Sequence, residues 1–222
     1  MAMTLYHCEK ARSFRALWTL HEMGITGYRL VTMPFPPRFL AKGYTKINAL
    51  GTIPFFVDGE TRMTESCGIP LYLVQKYGPT RLAVQPDEPD YGAYLNFITH
   101  ADATLTFPQT VFIRFVMQEP DKGWQAGGEA YAKWFIARLK LVNQTLSDGR
   151  EFLCAGRFTV ADICVAYALD LADRLGIRAK FGPFTKEVDA YLDRMRARPG
   201  FKAAEEEEKV SGEDWEAGRS KL

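Results

Sequence analysis

The chain has 222 residues, 47% hydrophobic and 25% charged, with a formal net charge of +1. So even a balance argues against a nucleic-acid binder or a protein drawn to anionic membranes, and no apolar run reaches the ~20 residues of a membrane span. Cys8, Cys67, Cys154 and Cys164 show neither a CxxC nor a metal-like spacing, His7, His21 and His100 share no ligand spacing, and no signal-peptide pattern opens the chain, so it reads as a reduced, metal-free cytoplasmic protein.

The first part reads βαβ. Residues 3–7 form a short strand. Residues 12–23 carry a helical apolar stripe at Phe14, Leu17, Trp18, Leu20 and Met23, ending at Gly24. Residues 28–33 are β-branched and aromatic, and the crossover makes them parallel to the first strand. Pro36-Pro37 opens a short helix over 38–44. Strands at 54–57 and 60–63 flank Asp58-Gly59, a strong hairpin signal. A helix over 66–77 closes this half at Gly78-Pro79, with Pro70 tolerated in its first turn.

Residues 81–89 hold two prolines and two acids and read as a linker. The remainder reads as helical: 90–118, bent at Pro108, then 129–146, 159–175 and 184–198, the last stopped by Pro199-Gly200. The 159–175 helix has a clear start. Thr159 and Asp162 stand at capping-box spacing, and Phe158 and Ile163 at the spacing of a hydrophobic staple. Residues 205–209 are a charge run and read as a solvated tail.

Two short motifs suggest chemistry. Ile53-Pro54 joins a loop to a strand, a natural place for a cis peptide. Such a bond turns the backbone N–H and C=O of Ile53 outward, where a ligand's peptide group can pair like an added strand. Glu65-Ser66 stands at a helix N-terminus, whose free N–H groups favour a carboxylate. The plainer reading is a turn and a helix cap.

With these motifs, residues 3–201 resemble the cytosolic glutathione S-transferases. Asn48-Ala49-Leu50-Gly51-Thr52-Ile53-Pro54 is similar to the family's Asn-Pro-x-Gly-x-x-Pro pattern, with Ala49 in place of the common proline. Glu65-Ser66 resembles its γ-glutamyl site, and residues 152–162 its C-terminal helix cap. The resemblance implies an α/β thioredoxin-like domain (βαβ-α-ββα) over 1–80, a linker over 81–89, and an all-α helical bundle over 90–222. It implies glutathione as co-substrate, held by Ile53, Pro54, Glu65 and Ser66, with Lys42 at the glycyl carboxylate and Asp102 reaching a neighbouring subunit's ligand. It also implies a homodimer, with no nucleic-acid or membrane partner.

The implied reaction is attack by the glutathione thiolate on a small electrophile: conjugation, ether cleavage, dehalogenation or peroxide reduction. A thiol of pKa about 8.5 must be helped to ionise at neutral pH. Four side chains where the first strand meets the first helix match positions that different classes use for this. Ser13 matches serine-type bacterial members. Arg12 falls where the beta class keeps cysteine and the pi class keeps arginine, and Tyr6 where the alpha, mu and pi classes keep tyrosine. Cys8 suits mixed-disulfide chemistry. The plainer readings are a helix cap for Ser13 and core packing for Tyr6 and Cys8. The acceptor pocket is expected between the halves, walled by Phe35, Pro36, His100, Thr104, Phe107, Pro108 and Phe112. This nearly uncharged lining suits a flat, apolar, aromatic electrophile. The alternatives are a non-catalytic binding protein of the same fold and a thiol reductase working through Cys8.

Overall fold

A computed structural model of the chain describes residues 3–210. They divide into two compact units, one of residues 3–80 with 197–210, the other of residues 81–196.

The first unit is built on a four-stranded sheet of order β2-β1-β3-β4, from β1 (Thr4–His7), β2 (Arg29–Thr32), β3 (Phe55–Asp58) and β4 (Thr61–Met63). β1 runs parallel to β2, with Tyr6 opposite Val31, and antiparallel to β3, with Leu5 opposite Phe56. β3 and β4 form the hairpin expected at Asp58-Gly59. Helix α1 (Phe14–Glu22) is buried from Phe14 to Leu20. The short helix expected over 38–44 is instead two pieces, α2 (Pro37–Leu40) and a 3-10 turn at Tyr44–Lys46. Helix α3 (Gly68–Lys76) is tied to β3, because Tyr72, Lys76 and Tyr77 all converge on Asp58 Oδ2 at 2.6–2.7 Å.

The second unit is helical. Residues 90–118 form one continuous run of changing pitch: α4 (Tyr91–Thr99), a π-helical stretch (His100–Thr106), α5 (Phe107–Phe112) and a second π stretch (Ile113–Gln118). Pro108 has no N–H to give the preceding turn, and the wider π turn before it absorbs the lost bond. Then come α6 (Gln125–Arg138), α7 (Lys140–Leu146), α8 (Val160–Arg174), α9 (Ile177–Phe181) and α10 (Lys186–Arg196). Helix α8 is the core of the unit, buried from Val160 to Ala172. Its capping box forms, with Asp162 Oδ2 accepting the Thr159 N–H at 2.8 Å. The segment read as a linker belongs to this unit. Leu82, Ala83 and Val84 are buried, and Arg157 donates to the carbonyls of Arg81 and Ala83 and pairs with Glu88 at 2.7 Å.

The reading of 205–209 as a solvated tail holds only for exposed Glu206 and Lys209. These residues lie in α11 (Pro199–Val210), which packs on α1 in the first unit. Phe201 meets Trp18 and Phe14 edge-on at 5.0 and 5.1 Å, and Arg198 forks onto Glu22 at 2.7–2.8 Å. Glu207 accepts from His21 and from the Tyr28 hydroxyl, and Glu208 is buried. Glu207 and Glu208 turn toward the first unit, which supplies donors to them, while Glu206 and Lys209 stay exposed. Helix α11 therefore belongs with residues 3–80, not with the helical unit.

Candidate functional site

The loop before β3 is held from both sides. The Thr52 carbonyl accepts from Asn48 Nδ2 at 2.8 Å and from the Tyr44 hydroxyl at 2.7 Å. Gly51 has φ +60°, and a Cβ there would stand 2.6 Å from Arg38 Cβ, so only glycine fits. The asparagine and the glycine of the motif thus each have a local task. The Ile53–Pro54 bond is cis, as are Phe35–Pro36 and Gly78–Pro79, which the sequence did not single out.

Ile53 shares a buried cluster with Tyr6, Cys8, Tyr44 and Phe55, against which Ala11 also packs. The bracket and the β1–α1 turn are therefore neighbours. The turn continues into α1, where Arg15 is fully buried. Arg15 Nη1 donates to Ser66 Oγ at 2.8 Å, just before α3. Ser66 is buried while Glu65 beside it is exposed. Bracket, turn and Glu65-Ser66 thus meet at the start of α1 within one unit. Sequence reasoning missed Arg15, which looked like one more charge on an amphipathic helix.

The four sulfur-facing candidates fare differently. Ser13 is fully buried, and its hydroxyl lies 2.8 Å from His7 Nδ1 while accepting the Cys8 N–H at 3.3 Å. Tyr6 is packed between the rings of Tyr44 and Phe55 at 5.9 and 5.7 Å. Cys8 is fully buried, and desolvation pushes its thiol up to about 12. Arg12 is half-buried. Lys42 is exposed between α2 and the 3-10 turn.

The acceptor residues divide between the two units. Phe35 belongs to the first unit and is 49% exposed. In the second unit, His100, Thr104 and Pro108 line a cavity of about 690 Å³ with Trp134, Arg138 and Gln144. Burial holds the His100 imidazole below its ordinary range. Phe107 is 51% exposed and meets Tyr131 edge-on at 6.3 Å, outside that lining. Phe112 is 5% exposed and packs on Phe181, which makes it core. Asp102 lies on the first π stretch. Arg138 stacks over Trp134 at 5.4 Å, so the cavity is less apolar than the sequence suggested. Among the described residues, no group of three or more His, Cys, Asp or Glu is placed to hold a metal, and no helix is long and apolar enough to cross a membrane.

The N-terminal domain model of glutathione S-transferase matches residues 1–75, and the C-terminal domain model matches residues 132–199. The chain belongs to the glutathione S-transferase family. Glutathione S-transferase 3 of Schizosaccharomyces pombe is 24% identical, over 92% of this chain and 87% of its own. Glutathione S-transferase D6 of Drosophila melanogaster is 25% identical, over 90% of both chains. Among solved structures, the glutathione transferase URE2P6 of Phanerochaete chrysosporium, in complex with oxidized glutathione, superposes with a TM-score of 0.78 at 25% identity, covering 94% of this chain and 97% of that one. The chain also shares its fold with the glutathione transferase of Methylococcus capsulatus, at a TM-score of 0.77 and 23% identity, over 95% and 100% of the two chains.

Proposed function

We propose that this chain binds glutathione in its first unit and activates the thiol for attack on a small electrophile. The observation that carries the reading is the buried Arg15–Ser66 pair at 2.8 Å, beside the cluster that joins Ile53 to the β1–α1 turn. In this reading the main chain of Ile53, next to Pro54, pairs with the tripeptide backbone. Ser66 takes the γ-glutamyl carboxylate, exposed Glu65 its ammonium, and Lys42 the glycyl carboxylate. The oxidized glutathione held by the Phanerochaete chrysosporium relative supports the ligand class.

The sulfur then faces the β1–α1 turn. There the N-terminal end of α1 and the Arg12 guanidinium favour the thiolate. Ser13 is buried beneath that turn and Tyr6 is packed in the core, so both are read as shaping the turn, not as touching sulfur. Burial of Cys8 argues against a thiol reductase, because exchange needs an accessible thiolate. Acceptors are small aromatic electrophiles. The enzyme works in the cytoplasm as a homodimer.

The test is glutathione-dependent conjugation across a panel of flat aromatic halides, for wild type and Arg12→Ala. Turnover above the uncatalysed rate, reduced about tenfold or more in the variant, supports the reading. A wild type that accelerates no member of the panel overturns the transferase activity.

A further inference from the structure

The β1–α1 turn contains a strained residue with an unusual partner. Lys10 has φ +57°, the left-handed region that a side chain with a Cβ rarely adopts. Its N–H donates to Glu208 Oε2 at 2.9 Å, across 198 residues of sequence. The same carboxylate oxygen lies 3.3 Å from His7 Nε2. On the other side of the ring, His7 Nδ1 stands 2.8 Å from Ser13 Oγ, which accepts the Cys8 N–H. His7 and Ser13 are fully buried, and Glu208 nearly so. A carboxylate from α11 thus holds the turn directly at the Lys10 N–H, while His7, paired with Ser13 through Nδ1, is its charge neighbour without a hydrogen bond at Nε2.

A carboxylate withdrawn from water is costly unless other groups compensate it. On α11, Glu205 and Glu206 carry comparable charge nearer solvent. Strained backbone held in place by surrounding contacts concentrates at functional sites. We propose that Glu208 is a positioning residue for thiol activation, fixing through the Lys10 N–H, with His7 as its charge neighbour, the backbone of the turn that faces the glutathione sulfur. The inference rests on the functional reading above and adds a role for the C-terminal helix. The other ionisable groups nearby are Glu207, one residue away on α11, with His21 of α1 and Tyr28 each bonded to it, and Lys10 and Glu9 on the exposed turn.

The experiment titrates bound glutathione by the ultraviolet absorbance of its thiolate as the S–H proton is released to solvent. Wild type, Glu208→Ala, Glu208→Gln and Glu207→Ala are compared, with a melting curve for each. Glu207→Ala removes a carboxylate from the same helix but leaves the turn's contacts in place. The expected result is an upward shift of the thiolate midpoint by about one pH unit in Glu208→Ala, in keeping with loss of a buried charged hydrogen bond. Glu208→Gln keeps an oxygen for the Lys10 N–H but no charge toward His7, and shifts the midpoint part of the way. Glu207→Ala lowers the melting temperature without moving the midpoint. If Glu208→Ala does not fold, Glu208→Gln decides. A midpoint in the folded Glu208 variants equal to that of wild type overturns the proposal and leaves the transferase reading standing. No glutathione uptake by wild type overturns that reading, and the proposal with it.

Discussion

Arg15 donates from Nη1 to the hydroxyl of Ser66 at 2.8 Å, and both side chains are buried. The bond ties the first turns of one helix to the start of another and sets a cation behind the hydroxyl proposed to meet a carboxylate. A hydrogen bond to a charged group contributes roughly 1.5–3 kcal/mol. Replacing Arg15 with methionine keeps much of the bulk and removes the donor. We expect glutathione affinity to fall about tenfold or more, equivalent to about 1.4 kcal/mol, together with a lower melting temperature. Calorimetric titration and a thermal melt check both. Unchanged affinity removes Arg15 from the site.

Asp162 is fully buried and accepts from the N–H groups of Leu153 and Thr159 and the hydroxyls of Thr159 and Tyr191, at 2.8–3.1 Å. Burial lifts its carboxyl from 3.8 to about 6 against the pull of those donors. A carboxyl raised in the native state binds its proton more tightly when folded. Its contribution to stability is therefore full below the unfolded value and is lost as pH rises through about 6. Asp162→Asn does not titrate and turns an amide toward donors, so it is destabilised by about 1–3 kcal/mol. Urea unfolding should find the gap to wild type wider near about pH 4 than near about pH 7. A gap independent of pH contradicts the assignment.

The buried Cys8 thiol, pushed up to about 12, is almost wholly protonated at neutral pH. Native protein should resist alkylation at Cys8 and react there only when unfolded, as mass spectrometry can follow. Cys8→Ala should retain conjugation within about twofold of wild type, since cysteine here packs as a small hydrophobe. Rapid native labelling at Cys8 restores the reductase reading.

Phe107 and Phe112 looked equivalent in sequence and differ in environment. Phe112→Ala empties a core position against Phe181 and should cost about 3–5 kcal/mol. Phe107→Ala removes a half-exposed ring and should cost under about 1 kcal/mol. Chemical denaturation of both variants separates them, and equal losses contradict the packing described.

The features legible in the sequence were local ones. The Asp58-Gly59 hairpin and the Thr159–Asp162 box each depend on residues a few positions apart, where spacing alone specifies geometry. The Asn48–Gly51–Pro54 loop was recognisable through its resemblance to the family's Asn-Pro-x-Gly-x-x-Pro pattern. Pairings across long stretches left no spacing to read. Arg15 and Ser66 are 51 residues apart, and Lys10 and Glu208 are 198 apart. Composition made residues 205–209 look solvated, because nothing in a charge run says that His7, His21, Tyr28 and the Lys10 N–H wait for it. The hydroxyl of Ser13 had suitable chemistry and a suitable position, but its burial follows from the packing of α1, which one side chain does not announce.

The most direct measurement is a calorimetric titration of the purified chain with glutathione, beside the same titration of Ser66→Ala. Saturable uptake by wild type at up to millimolar ligand, weakened about tenfold or more by the substitution, is the expected result. An absence of binding heat with wild type, or equal affinities for the two proteins, contradicts the account at its base.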